Sequence, residues 1–263
     1  MRSARFAVVV FMVHVLAAQQ PTAYLGFDAN QYPGDERLSA LRKRFWFTGY
    51  WLNNPPGEKT TTWTGKRPAL QAAGFGFLIL FNGRLESQLK HPATLGKADA
   101  AKAVAAAHQE GFPNAAVIFL DQEEGGRMTG PQRAYIHAWV DTVNQSTYKA
   151  GIYCSGIPAK EDDGKTVITA LDIQENAGNR EIVYWVANDA CPASPGCVAE
   201  ARPPSASGVK FASVWQFAQS PGRKLIIGRC AATYNRDGNC YSEHLPIDMD
   251  TSNSPDPSHG RTQ

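Results

Sequence analysis

The chain has 263 residues, of which 43% are hydrophobic and 19% charged, and its formal net charge is +2. That balance belongs to a globular protein large enough to bury a sizeable core. With no basic stripe and no interleaving of basic and aromatic side chains, nucleic acid is excluded as the expected partner.

In chain order, the first feature reads as an export signal. Arg2 and Arg5 precede an apolar run over residues 6–16, too short to span a bilayer as a helix, and Ala17 and Ala18 supply small residues for cleavage. Residues 1–18 are read as a signal peptide, 19–253 as one domain and 254–263 as a polar tail. The expected location is periplasmic or secreted, with no stable membrane span. Oligomeric state is not legible.

From Tyr24 onward, strand and helix patterns alternate. Short apolar runs of the kind found in buried parallel strands lie at residues 24–28, 45–50, 77–81, 117–120, 150–154, 182–186 and 213–217, with a weaker one at 247–249. Helices are predicted over 66–73, ending at Gly74, and over the Ala-rich stretch 98–110, ending at Gly111. A third, over 129–144, opens with Pro131 and carries Tyr135, Trp139 and Val143 at four-residue spacing, and a fourth is expected near 165–176. Such alternation fits an α/β fold, a single TIM-like (β/α)8 barrel. The runner-up, an open doubly wound sheet, usually has a Gly-rich turn after its first strand, and Gly26-Phe27-Asp28-Ala29 is not one. Residues 188–210 and 220–246 read as rim excursions, and 252–263 as a disordered tail.

The five cysteines suit an exported protein. Cys191 and Cys197 flank one short loop, and Cys230 and Cys240 flank another. Each pair is expected to close its loop as a disulfide, which leaves Cys154 as a buried thiol at the end of an apolar strand. A zinc site is the poorer alternative, because the CxxC spacing and a His cluster are missing.

The most informative segment is Ile118-Phe119-Leu120-Asp121-Gln122-Glu123-Glu124-Gly125-Gly126. Residues two apart on a strand share a face, so Asp121 and Glu123 are expected side by side, with Glu124 on the other face and the two glycines opening space for a ligand. Neighbouring carboxyls raise one another's pKa, which keeps one acid protonated beside an ionised partner, as glycoside hydrolysis requires. The plainer reading is a strand end whose acids cap the next helix.

In a barrel the C-terminal strand ends converge. They would bring together Asp28, Tyr50, Asn82, Arg84, Asp121, Glu123, Tyr153, Trp185, Gln216, Asp248 and Asp250, among which the acids, amides and rings suit a sugar. Trp51 and Trp215 read as packing residues, a reading that also competes for Tyr50, and Asn82 has a competing reading as a turn former. Other catalytic patterns are thin. There is no GxSxG elbow, P-loop or HExxH motif, and His91, His108, His137, His244 and His259 are scattered. No cofactor and no metal are expected, a cation held by Asp28, Asp121 and Asp248 being the weaker reading.

These motifs resemble the glycoside-hydrolase-like domain of exported bacterial proteins, which is related to the family 25 (Chalaropsis-type) lysozymes. Gly26-Phe27-Asp28 is similar to their first-strand Gly-x-Asp, Asp121-Gln122-Glu123 to Asp-x-Glu, and Trp185-Val186-Ala187 to Trp-x-Ala. Trp215-Gln216-Phe217 is similar to Trp-Gln-Tyr, and Ile247-Asp248-Met249-Asp250 to Val-Asp-x-Asn. The resemblance implies Glu123 as general acid, with Asp28, Asp121 and Asp248 lining the same cleft. Tyr50, Tyr153, Trp185, Gln216, Asp250 and Asn82 would contact the substrate. It implies peptidoglycan or a related polysaccharide as partner, cut between N-acetylmuramic acid and N-acetylglucosamine. Asp250 departs from the usual Asn, and Tyr32-Pro33-Gly34 departs at a subsite. The alternative of another class is a glycan-binding barrel of the envelope that performs no chemistry.

Overall fold

A computed structural model describes residues 23–189, 201–219, 241–242 and 245–262. Eight strands close a barrel: β1 (Tyr24–Asp28), β2 (Phe47–Trp51), β3 (Gly76–Asn82), β4 (Val117–Asp121), β5 (Lys149–Ser155), β6 (Val183–Ala187), β7 (Val214–Ala218) and β8 (Asp248–Ser252). The helices are α1 (Leu38–Arg42), α2 (Arg67–Ala72), α3 (Pro92–Gln109), α4 (Gly130–Asn144) and α5 (Thr169–Glu175). The expected polar loop after β5 contains a small hairpin, Ala159–Lys160 against Thr166–Val167, and α5 starts only after it.

Strands β1 to β7 are mutually parallel, and near-continuous apolar runs bury them on both faces. The eighth strand departs from the expected pattern. β8 runs antiparallel to both β7 and β1, and Asp28 is the register partner of Asp248. Reversal places the beginning of β8, not its end, at the mouth where the other strands finish. Asp248 therefore stands at the rim, and Asp250, two residues on and facing the same way, lies one layer deeper.

The barrel interior is packed. A Cβ on Gly26 would fall 2.0 Å from the Phe47 ring, so a missing side chain on β1 makes room for a large one on β2. Outside the sheet, Tyr50, Phe77 and Phe112 meet edge to face. Helix α4 begins with a capping box, in which Gln132 N–H donates to the Thr129 hydroxyl and Thr129 N–H donates to the Gln132 side chain.

The tail expected to be disordered is instead built into the floor of the barrel. Phe77 N–H donates to Asp256 Oδ1 (2.8 Å), Ile79 N–H to the Ser258 hydroxyl (2.9 Å), and Val117 N–H to the Ser258 carbonyl (2.8 Å). Side-chain oxygens of a polar segment thus serve as ladder acceptors where β3 and β4 have not yet paired, so low hydrophobicity did not signal disorder here. Removing an acceptor beneath a buried N–H costs about 1–3 kcal/mol. Ser258→Ala is expected to lower stability by that amount in urea unfolding. Asp256→Ala should cost more, because Asp256 also accepts from the N–H groups of Gly260 and Arg261.

Candidate active site

All eight strands deliver side chains to the mouth, β3 through Leu80 and β4 through Asp121. A hollow of about 210 Å³ is lined by Asp28 from β1, Trp51 from β2, Tyr153 from β5, Trp185 from β6, Gln216 from β7 and Asp248 from β8, together with Asp121 and Glu123. A second hollow, also about 210 Å³, shares Pro56, Asp121 and Glu123 with the first and extends to Asn82, Arg84, Leu85 and Gln88. Glu123 is exposed and stands between the two, while Asp121 beneath it is only 3% exposed.

Gln216 organises the first hollow. Its Nε2 donates to Asp28 Oδ2 (2.9 Å) and, at 3.4 Å, to Asp248 Oδ2. Its Oε1 accepts from the Tyr153 hydroxyl (2.8 Å) and from Gln219 Nε2 (3.3 Å). One buried amide thus ties β1, β5, β7 and β8 together. Tyr153 stays a neutral phenol, because burial and then the nearby carboxylates push its pKa well above the ordinary value. Its ring meets Trp185 edge-on, with centroids 4.6 Å apart.

The acids fall into two pairs. Among the described residues neither oxygen of Asp121 receives an N–H or hydroxyl donor, and its carboxyl shares a hydrogen bond with Glu123. Burial first, and then the charge of Glu123, hold Asp121 well above the usual carboxylate range. Asp121 is thus held toward its protonated form directly beside the Glu123 carboxyl. Asp28 and Asp250 form the second pair. Asp250 Oδ1 accepts from Trp185 Nε1 (3.0 Å), while Oδ2 meets no N–H or hydroxyl donor among the described residues and has the Asp28 carboxyl as its neighbour. Burial and then Asp28 push Asp250 well above the usual range. Burial raises Asp28 too. Hydrogen bonds from Gln216 and Asp250 pull it back, Glu123 adds to the rise, and the result is about 6.

Most of the expected site residues meet here, and several expectations need correction. Tyr50 does not reach the cleft. It is fully buried on the outer face of β2, packs against Trp63 and Phe112, and donates to Glu110 Oε2 at the end of α3 (2.5 Å). Its neighbour Trp51, expected as packing, points inward and donates from Nε1 to the Ala29 carbonyl (3.2 Å). All five residues of β2 are buried, so no polar alternation marked the inner face. Gly49 was the available signal. A Cβ there would stand 2.7 Å from Asp28 Cβ, which puts residues 49 and 51 on the inner side.

Asp250 is wholly buried beneath Asp28 and lines neither hollow, because β8 is reversed. Asn82 lines the second hollow, and its amide fastens the β2 loop by donating to the Asn54 carbonyl (2.9 Å). Gly125 and Gly126 do not open the cleft. Gly126 has φ +90°, and its N–H donates to the Thr169 hydroxyl (2.8 Å) in the turn that leads to α4. Glu124 points away from the cleft, as expected, and accepts from Glu86 N–H and Gln132 Nε2. Leu85, Gln88 and Pro56 are wall residues that strand-end reasoning did not select, because they follow the strands instead of ending them, whereas Arg84 lines the second hollow as its place after β3 suggested. Cys154 is a buried free thiol, as expected. Cys191, Cys197, Cys230 and Cys240 lie outside the described residues. Among the described residues no helix is long and apolar enough to cross a membrane.

Residues 58–170 match a family model described as Rv2525c-like, glycoside hydrolase-like domain. That stretch holds Asp121, Glu123 and Tyr153 but not Asp28, Gln216, Asp248 or Asp250. A comparison with curated protein sequences returns no match. Among solved structures, an uncharacterized protein of B. stearothermophilus is similar at 18% identity and TM-score 0.55, over 86% of this chain and 94% of that one. The Tat-secreted protein Rv2525c of Mycobacterium tuberculosis, in complex with L-tartrate, is similar at 12% identity and TM-score 0.52, over 87% and 94%. The catalytic domain of endolysin ply40 from bacteriophage P40 of Listeria monocytogenes is similar at 16% identity and TM-score 0.52, over 89% and 95%. The resemblance read from the strand-end motifs is met, and at these identities the shared property is the barrel.

The raised pKa of Asp28 makes a linkage prediction. An acid whose folded-state pKa lies above its unfolded value binds more protons when folded, so its contribution to stability falls as pH rises. For Asp28 the fall runs from about 4 to about 6. Asp28→Asn removes the titration and leaves an oxygen to accept from Gln216. Its melting temperature is expected to exceed that of wild type by a margin that grows across this window and is level above pH 7.

Proposed function

We propose that this protein is an exported glycoside hydrolase that cuts peptidoglycan or a related cell-wall polysaccharide, with Glu123 as the general acid. The observation that carries the reading is the Asp121–Glu123 pair: a buried carboxyl without other donors among the described residues, hydrogen-bonded to an exposed carboxyl that stands between two sugar-sized hollows. The sugar units on either side of the bond would occupy the two hollows. Glu123 would give its proton to the bridging oxygen as the bond breaks, and Asp121 would serve as its proton-sharing partner. Asp28 and Asp248 on the facing wall would stabilise the positive charge that develops on the ring, and water would then bond to the ring carbon and return a proton to Glu123. Gln216 and Tyr153 hold that wall in place. Trp51 and Trp185 would take the apolar faces of the rings. Export rests on the N-terminal sequence signal.

The test is release of reducing ends from purified peptidoglycan. Glu123→Gln is expected to lower turnover by about 10²- to 10⁴-fold, the usual contribution of a positioned general acid, with the unfolding curve unchanged. Equal rates for variant and wild type would sink the assignment of Glu123. A rate profile with an acid limb near pH 6 is the expected signature of Asp28 acting as a carboxylate. On the same substrate, Trp51→Leu is expected to raise KM, whereas Tyr50→Phe should leave the kinetics unchanged and cost only stability.

A further inference from the structure

The run Arg42-Lys43-Arg44-Phe45-Trp46 leads from α1 into β2 and is too short to form a basic stripe by itself. Folding enlarges it. The run lies at the pole where the parallel strands begin, and the C-terminal segment brings Arg261 to the same place. Arg42 Nε (3.0 Å) and Arg261 Nη2 both donate to the Gly74 carbonyl, and Arg261 Nε donates to the Phe75 carbonyl (3.0 Å). Two guanidiniums thus meet on one neutral oxygen, and among the described residues neither pairs with a carboxylate. Burial first, and then the charge of Arg261, hold Arg42 below its ordinary pKa, as like charges kept close must. Lys43 and Arg44 stand exposed beside them and make no ion pair among the described residues. The neighbouring carboxylates are engaged elsewhere. Asp35 accepts from the Tyr32 hydroxyl (2.6 Å) and has Lys66 Nζ at 3.6 Å, and Glu36 pairs with Arg37. Asp256 is turned to the backbone N–H groups of Phe77, Gly260 and Arg261.

Trp46 is the apolar part of this pole. It is 41% exposed, whereas the other five tryptophans are buried. The Arg42 guanidinium lies over its ring, 4.4 Å from the centroid. Tyr24 meets the ring edge-on, and Trp46 N–H donates to the Leu25 carbonyl, so β1 enters the barrel beside it. An exposed indole among cations is suited to the boundary of a bilayer, where the ring sits at headgroup depth and the charges face phosphates. We infer that this pole is a docking surface for an anionic phospholipid bilayer, with Arg42 and Arg261 clasping a headgroup phosphate and Trp46 seated among the headgroups. The forked donors of a guanidinium match phosphate oxygens. A small free anion would use the arginine pair alone. A bilayer also engages Lys43, Arg44 and Trp46, and that breadth favours it. The pole lies opposite the mouth, so a docked molecule turns its cleft away from the lipid. Nothing in this inference draws on the glycan-cleaving reading.

Vesicle binding tests the inference. The chain from Gln19 onward is used, after its unfolding curve is matched to that of the full chain. It holds all eight strands and the floor segment, and it keeps the apolar run 6–16 out of the assay. One vesicle is phosphatidylcholine alone, and the other contains about 30% phosphatidylglycerol, both at low ionic strength where surface attraction is least screened. Retention on the anionic vesicles alone is expected. Lys43→Gln with Arg44→Gln, and Arg42→Gln with Arg261→Gln, are each expected to weaken it about 25-fold, or about fivefold per cation. Lys43 and Arg44 are exposed and make no side-chain hydrogen bonds among the described residues, so the first double variant keeps the fold whether or not the second does. Trp46, the exposed tryptophan, gives a second readout. On the anionic vesicles its emission is expected to be quenched by brominated lipid and shielded from acrylamide. Absence from both vesicle types, equal retention on both, retention that survives Lys43→Gln with Arg44→Gln, or a Trp46 still open to acrylamide in the bound protein would overturn the surface. Binding of soluble poly(glycerol phosphate) with no retention on vesicles would also overturn it, and would assign the arginine pair to a phosphate polymer.

Discussion

Carboxyls buried without matching cations are the constraint on which the cleft depends. Asp121 and Asp250 lie where water does not reach, and no lysine or arginine pairs with either among the described residues. Such groups keep protons or borrow them from one another. The Glu123 pair and the Asp28 pair are the two results. Gln216 sits between Tyr153 on one side and Asp28 and Asp248 on the other, so its amide matches the donors and acceptors that the pairs leave over. The barrel fixes this wall because its hydrogen-bonded partners come from four different strands, each held by its own neighbours. In contrast, Asp99 on the outside of the same sheet has Arg84 and Lys102. Burial pushes its pKa up, the hydrogen bonds from Arg84 and Lys102 outweigh that, and it ends below the usual carboxylate value. The same residue type is thus a neutral acid on one face of the barrel and a charged anchor on the other.

Much of this was legible in the sequence. The apolar runs located every strand of the barrel to within a few residues, because parallel strands buried on both faces have little choice of composition. The Asp121–Glu123 spacing put both acids in one place, since a period of two is a property of extended backbone. Tyr153, Trp185, Gln216 and Asp28 followed from strand-end positions alone. What failed did so for definable reasons. At β2 both neighbours were aromatic and both buried, so composition could not say that Trp51 faces in and Tyr50 out. Strand direction is also invisible in a run of three apolar residues. β8 was therefore assumed parallel, and Asp250 was placed at the rim instead of a layer below it.

The loop residues were the least legible part. Pro56, Leu85 and Gln88 sit in turns held by tertiary bonds, Asn82 to Asn54 and the Glu86 turn to Glu124, and even Arg84, legible at the end of β3, owes its orientation to Asp99 on α3. No local pattern encodes these pairings. A strand-end inventory therefore recovers the side of the cleft that the sheet builds and only Asn82 and Arg84 of the side that the loops build.

The floor of the barrel bears on how the molecule comes into being. Phe77, Ile79 and Val117 present their N–H groups to acceptors on Asp256 and Ser258, the first two of them 179 residues further along the chain. A ribosome delivers β3 and β4 long before those acceptors exist. Until then the lower ends of both strands are open edges, flanked by large apolar side chains, and open edges invite pairing with another chain. The last few residues, polar and without regular structure, thus act as the stitch that closes the barrel. A nascent or truncated chain lacking them retains the sheet sequence but has an adhesive seam at its base.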